Sequence, residues 1–308
     1  MEEQEHQPPE GRAKPGLLYH YTTQAGLDGI LSSDSIWATH FRFMNDSMER
    51  LHGLTLFKEA LFRGAYEKFK SLDASSNLVD YFEKTTANAL DAYIACFCTE
   101  TNGSTDGGDR LGQWRGYAHG TQGYCLVFDS KLIDKFHAAT PRASFCESCI
   151  YSEVEQYGLC EQLSNDLLVG PFRDLAVESL STHDTLRKAI KEGTSTLHDW
   201  NGFGSSALLY SSLFKHAGFG EESEYRLVKF FTLKSDSSVI QFRPGKDNPT
   251  PYIAISLALK AANSPLKMIV VGPSLNKEQA AIDLRIRLRQ MGLANVQVVP
   301  SKIPYRNW

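Results

Sequence analysis

Three stretches of the chain carry side chains able to do chemistry. The first is Tyr19-His20-Tyr21, where a histidine stands between two large rings. On a short strand successive side chains alternate between faces, so His20 is expected to face away from both tyrosines, as a polar group directed into a cleft would. A histidine satisfied within the core is the plainer alternative. The second stretch is Glu222-Ser223-Glu224-Tyr225-Arg226. A carboxylate at Glu224 can stabilise positive charge that develops beside it, although pairing with Arg226 or Lys229 as a surface charge explains the same residue. The third is Gln113-Trp114-Arg115, inside the Gly-, Ser- and Asp-rich run from Thr99 to Gly123. Guanidinium forks bind phosphate bidentately, which makes Arg115 a candidate for holding an anion, with Arg42 in reserve. A structural ion pair or aromatic stacking accounts for either arginine equally well.

Other polar groups have ready structural explanations. Asn45, Asp46 and Glu49 could line a cleft, but Asp46 followed by Glu49 is a capping box. Lys215 and His216 read as the end of a helix, where cations complement the macrodipole, and His216 stays a site neighbour because only a short Gly-containing link separates it from Glu224. Cys146 and Cys149 have metal-ligand spacing, yet a zinc site needs about four ligands and Cys160 is a poor third; six reduced, metal-free thiols are expected. Gly103 to Gly108 lacks the glycine spacing of phosphate-binding loops, and no nucleophile-elbow motif occurs.

The elements that must position these groups follow from periodicity. Leu17–Tyr21 is a strand, and Thr22 or Thr23 caps a helix with apolar positions at Leu27, Ile30 and Leu31. Ser32 to Ser35 breaks that helix before a second strand, Ile36–Phe43, which carries Arg42. A long helix runs from the capping box to about Leu72. Strands are expected at Tyr93–Cys98, Tyr124–Phe128, Tyr225–Leu233, Met268–Val271 and Val296–Val299, with Ser205 or Ser206 capping a helix that runs through His216. Ser274 is expected to cap a last helix, closed by Gly292. Residues 1–16 read as a disordered leader, residues 17–306 as a single α+β domain, and about 152–200 as a mainly helical insertion.

The 308 residues are 42% hydrophobic, enough for a sizeable core. Lys and Arg number 32 against 36 Asp and Glu, a net charge of −4, so no overall basic field draws the chain to nucleic acid or anionic lipid, although a local basic groove is compatible with it. No stretch approaches the roughly 20 apolar residues that span a bilayer, and the expectation is a cytoplasmic protein with no membrane partner.

Several pieces together resemble the bacterial family known as domain of unknown function 2971, often found near phage-defence genes. They are Leu18-Tyr19-His20-Tyr21-Thr22, Ile36-Trp37-Ala38-Thr39, Asn45-Asp46 with Glu49, Gln113-Trp114-Arg115-Gly116-Tyr117, Phe214-Lys215-His216 with Glu222, Glu224-Tyr225-Arg226, and Ile303-Pro304-Tyr305-Arg306. The opening strand is distantly similar to that of the ADP-ribosyltransferase-like fold, whose core is a split mixed or antiparallel sheet with helical insertions. This resemblance implies NAD as a substrate, with no metal. His20 would grip the ribose, Tyr21 or Tyr117 would stack on nicotinamide, Arg115 or Arg42 would hold the pyrophosphate, and Glu224 would act on the ribose as the glycosidic bond breaks. His216, Glu222, Asn45 and Asp46 are further candidates. It implies transfer of ADP-ribose to a macromolecule, a nucleic acid or a translation component, in a bacterial anti-phage or toxin setting, with a partner chain as a possible activator. An NAD glycohydrolase and a non-catalytic nucleotide-sensing module are the alternatives. His20, Arg115 and Glu224 are expected to converge on one cleft.

Overall fold

The computed structural model describes residues 14–44, 47–86, 90–100, 107–118, 122–133, 144–170, 194–232, 237–245 and 248–304, together with a few positions between 171 and 193. The leader expected over 1–16 falls mostly outside the described residues, as do Asn45, Asp46, Tyr305 and Arg306. Helices and a mixed, open sheet make this an α+β protein. Among the described residues no helix is long and apolar enough to cross a membrane.

By its contacts the chain forms two units: residues 1–35, 97–139 and 256–308 make the first, and 36–96 with 140–255 the second. In the first unit β1 (Leu17–Thr23) pairs antiparallel with β4 (Gly123–Asp129), β4 pairs antiparallel with β9 (Leu266–Val271), and β9 pairs parallel with β10 (Gln297–Pro300). Thr23 ends β1 and caps helix α1 (Gln24–Ser33), its hydroxyl accepting from the Gly26 N–H, and Leu27, Ile30 and Leu31 are its buried positions. Asp34 then takes a left-handed conformation that closes the helix. Short helix α4 (Leu111–Tyr117) lies inside the long loop. Its Trp114 is buried, stands edge-on to Tyr21 at 4.7 Å and donates from Nε1 to Asp109 at 2.8 Å. Tyr19, Tyr21, Cys98, Trp114, Cys125, Val127 and Val270 form the core beneath it. Near the end of the chain, helix α7 (Lys277–Gln290) is followed by Gly292 at φ 78°, the left-handed position that closes a helix.

The second unit contains β2 (Ser35–His40), helices α2 (Ser47–Phe69) and α3 (Leu72–Thr86), most of β3 (Leu90–Cys98), β5 (Ser144–Ser148), helices α5 (Glu153–Val169) and α6 (Thr194–Ser211), β6 (Glu224–Thr232), β7 (Ile240–Arg243) and β8 (Thr250–Ser256). β6 lies between β3 and β5, β2 lies between β3 and β8, and β7 pairs with β8. The four helices share one core. Trp200 of α6 stacks on Phe172 at 5.6 Å and meets Phe82 of α3, while Phe57 of α2 stacks on Phe214. Rings of this size each bury roughly 150–250 Å², so this aromatic cluster supplies much of the unit's hydrophobic stabilisation.

Several elements differ from expectation. The second strand stops at His40, whose ring accepts from the Arg42 N–H and opens a 3₁₀ turn, so Arg42 sits on a turn and not on the strand. The first long helix ends at Phe69, before Lys70 at φ 52°, and α3 follows at once. The helix expected from Ser205 to His216 runs instead over Thr194–Ser211, because Phe214 leaves it to bridge with Ile150. Ser274 does not cap α7. Its hydroxyl donates to Gln122 Oε1, and α7 begins after Asn276.

Candidate functional site

In the second unit, the start of β6 carries a group of buried charges. Ser223 takes a left-handed conformation at φ 45°, and Glu224 begins the strand with its N–H donating to the Tyr151 hydroxyl at 2.8 Å. Beyond α6, the Lys215 N–H donates to Ile150 O at 3.0 Å, and Gln156 Nε2 donates to Ile150 O and Lys215 O. These bonds pin the backbone on either side of the charges, so the ordering left when they pair is that of the side chains alone.

Lys215 Nζ donates to Glu222 Oε2 at 2.8 Å and to Glu224 Oε2 at 2.6 Å. Arg226 donates from Nε to Glu224 Oε1 at 2.9 Å, from Nη2 to Glu224 Oε2 at 3.1 Å, and from Nη1 to Ser212 O at 2.8 Å. The Phe219 ring lies 5.1 Å from Lys215 Nζ, a further contact for that cation. Among these described pairs two cations meet two carboxylates, so the four charges balance. That balance is what makes the burial of Lys215, Glu224 and Arg226, each at 5% exposure or less, tolerable.

Burial pushes the Glu224 carboxyl up, but the Arg226 guanidinium and Lys215 ammonium outweigh it and hold the pKa down at about 2. Burial works against the Lys215 charge, and Glu224 and Glu222 more than restore it, leaving this pKa raised. Cys96 is pushed well up, first by burial and then by the Glu224 charge, so it stays a thiol; it also hydrogen-bonds Glu224. With Arg226 donating twice, Lys215 once and Cys96 once, the roughly four acceptor positions of the Glu224 carboxylate are occupied. Glu222 differs. Its side chain is 29% exposed while its Oε2 accepts from Lys215, so solvent reaches this carboxylate.

The other expected site residues divide between the units. His20, Tyr21, Arg115 and Tyr117 are in the first, and Arg42, His216, Glu222 and Glu224 in the second. His20 lies on the face of β1 opposite Tyr19 and Tyr21, its ring 5.8 Å from Phe97. Tyr21 is buried, its hydroxyl donating to Gly107 O and accepting from the Arg110 N–H. Arg115 and Tyr117 are exposed on α4. Arg42 is exposed over the Phe41 ring. His216 is exposed, its Nδ1 accepting from the Gly218 N–H.

Lys215 and Arg226 are the functional candidates that sequence reasoning assigned to helix-end and surface roles. The signal that could have singled them out is the spacing itself: two cations bracket three carboxylates, Glu221, Glu222 and Glu224, within Lys215–Arg226. Among the described residues no group of three or more His, Cys, Asp or Glu is placed to hold a metal, and no disulfide joins any of the six cysteines.

No curated protein and no solved structure matches the chain. Residues 113–227, the segment that contains Trp114, Arg115 and the whole Lys215–Arg226 cluster, match the family described as protein of unknown function (DUF2971).

Proposed function

We propose that the protein is an NAD-consuming enzyme of the ADP-ribosyltransferase-like class, acting through the carboxylates at the start of β6 and passing ADP-ribose to a macromolecule. One observation carries this reading: Glu222 and Glu224 share the Lys215 ammonium at 2.8 and 2.6 Å, one carboxylate buried and one partly exposed. Cleavage of the bond between ribose and nicotinamide builds positive charge on the sugar, and an oriented carboxylate lowers that barrier as the charge grows. Since the Glu224 oxygens are occupied, Glu222 makes the contact with the ribose, and Glu224 positions it through Lys215. The roles that the family resemblance implies for His20, Tyr21, Arg115, Tyr117, Arg42 and His216 are tested one residue at a time.

The saturation of Glu224 favours a second reading, a module that binds a nucleotide through Glu222 without turning it over. Nicotinamide release from NAD by the purified protein separates the two. Glu222→Gln keeps the shape and removes the charge, so release should fall by about a hundredfold, equivalent to about 3 kcal/mol, with little change in NAD affinity. Free ADP-ribose without an added macromolecule points to hydrolysis in place of transfer. Full release by both Glu222→Gln and Glu224→Gln, or none by the wild type with any nucleotide or cell extract, removes the enzymatic reading.

A further inference from the structure

Strand β2 neighbours β8, and β7 completes this edge of the second unit. On one face Trp37 packs on Tyr252 with ring centroids 4.5 Å apart. The Arg243 guanidinium lies over both rings, 5.4 Å from the Trp37 centroid and 5.9 Å from that of Tyr252. Its Nη2 donates to Thr39 Oγ1 at 2.8 Å. A guanidinium carries five N–H donors, and among the described residues no carboxylate pairs with this one. The sequences of β2, β7 and β8 contain no Asp or Glu at all. Within these three strands the guanidinium is thus the one permanently charged side chain, with Trp37 still 37% exposed.

We infer that this face binds single-stranded nucleic acid. The partly exposed indole offers a stacking surface for a base, and a guanidinium held beside two aromatic rings with one N–H on Thr39 has donors left for a phosphate or a base edge. Gln241 adds a polar group on the same face, its Oε1 accepting from the Tyr252 hydroxyl at 2.8 Å. A protein partner seated here would have to bury a guanidinium without a counter-ion unless it brought one, whereas every nucleotide supplies both a ring and an anion. Duplex hides its base faces and cannot stack on Trp37.

The inference stands apart from the proposed NAD chemistry, because it is read by binding alone in the absence of NAD. The probes are a short fluorescein-labelled oligouridylate and the matching oligothymidylate, followed by anisotropy with the full chain, and each strand annealed to its complement. Both single strands should bind, more tightly than either duplex, and a preference for one of them identifies RNA or DNA as the natural ligand. Trp37→Ala should weaken binding by about tenfold or more, with Trp37→Phe recovering most of it. Arg243→Ala should weaken binding and flatten the slope of log affinity against log salt by about 0.7. Phe242→Ala, a still more open ring on the other face of β7, should bind as the wild type does. No anisotropy change up to about 100 µM, the weak limit of non-specific binding, overturns the inference. So does wild-type affinity in both Trp37→Ala and Arg243→Ala, equal binding of duplex, or a polypeptide that docks through Trp37 when no strand binds.

Discussion

The ammonium of Lys215 holds two carboxylates that would otherwise repel each other in a site with little water. Replacing it by methionine preserves most of the volume and strands Glu224 with Arg226 as its sole cation. Breaking a buried ion cluster by removing one partner costs about 3–5 kcal/mol, so Lys215→Met should show a markedly lower urea midpoint with an unchanged slope. A midpoint equal to that of the wild type would mean that the cluster is not paired as described. Gly107 is a second sensitive position. A β-carbon there runs into the Tyr19 ring, whose neighbour two residues on, Tyr21, donates its hydroxyl to the same glycine's carbonyl. Overpacking costs about 1–3 kcal/mol. Gly107→Ala is therefore expected to destabilise by that amount, checked by urea denaturation.

At the scale of elements, helix ends decide more than helix interiors. Thr23 satisfies an N–H at the start of α1 that has no partner within the helix. Thr23→Ala should lose about 1 kcal/mol. Gly292 occupies φ 78°, which a side chain adopts only with strain, so Gly292→Ala should cost about 1 kcal/mol as well. Gly29 makes the opposite case. It is inside α1 with open space where a β-carbon would go, and Gly29→Ala should stabilise by about 0.5–1 kcal/mol. The three variants, compared by thermal unfolding, should therefore shift in two directions, and a Gly29→Ala variant that melts below the wild type would contradict the open environment.

For the whole molecule, the ion cluster sets a dependence on acid. An unfolded glutamate binds its proton near 4.5, whereas Glu224 in the fold does so only near 2. The folded-state pKa is depressed, so this contribution is present above about pH 4.5 and is lost as pH falls from there to about 2. Its size is about 3 kcal/mol. Lys215 shifts the other way, its pKa raised, so its contribution persists through neutral pH and is lost only in strong alkali. Urea midpoints should therefore fall steeply between about pH 5 and pH 2, and Glu224→Gln should flatten that fall, starting from a lower midpoint at neutral pH. A wild-type curve that is level over the same interval would exclude a buried, ionised Glu224.

The sequence by itself determined the features governed by neighbours within a few residues: the alternation that separates His20 from Tyr19 and Tyr21, the Thr23 cap with its stripe of Leu27, Ile30 and Leu31, the β4 and β9 strands, and Gly292 beyond the last helix. These follow from strand and helix periods and from backbone φ, which short segments carry on their own. Helix α3 and strands β7 and β8 were not legible, nor was the end of α6 at Ser211. Their apolar positions match partners distant in the chain, as Phe214 does when it leaves the helix to meet Ile150. The same holds for the candidate site. Glu222, Glu224 and Arg226 are conspicuous in the sequence, but which carboxylate is buried and saturated and which is partly exposed was decided by tertiary structure. Burial depends on Tyr151, Gln156, Cys96 and Ser212 closing around the charges, and no local pattern encodes the desolvation those distant residues impose.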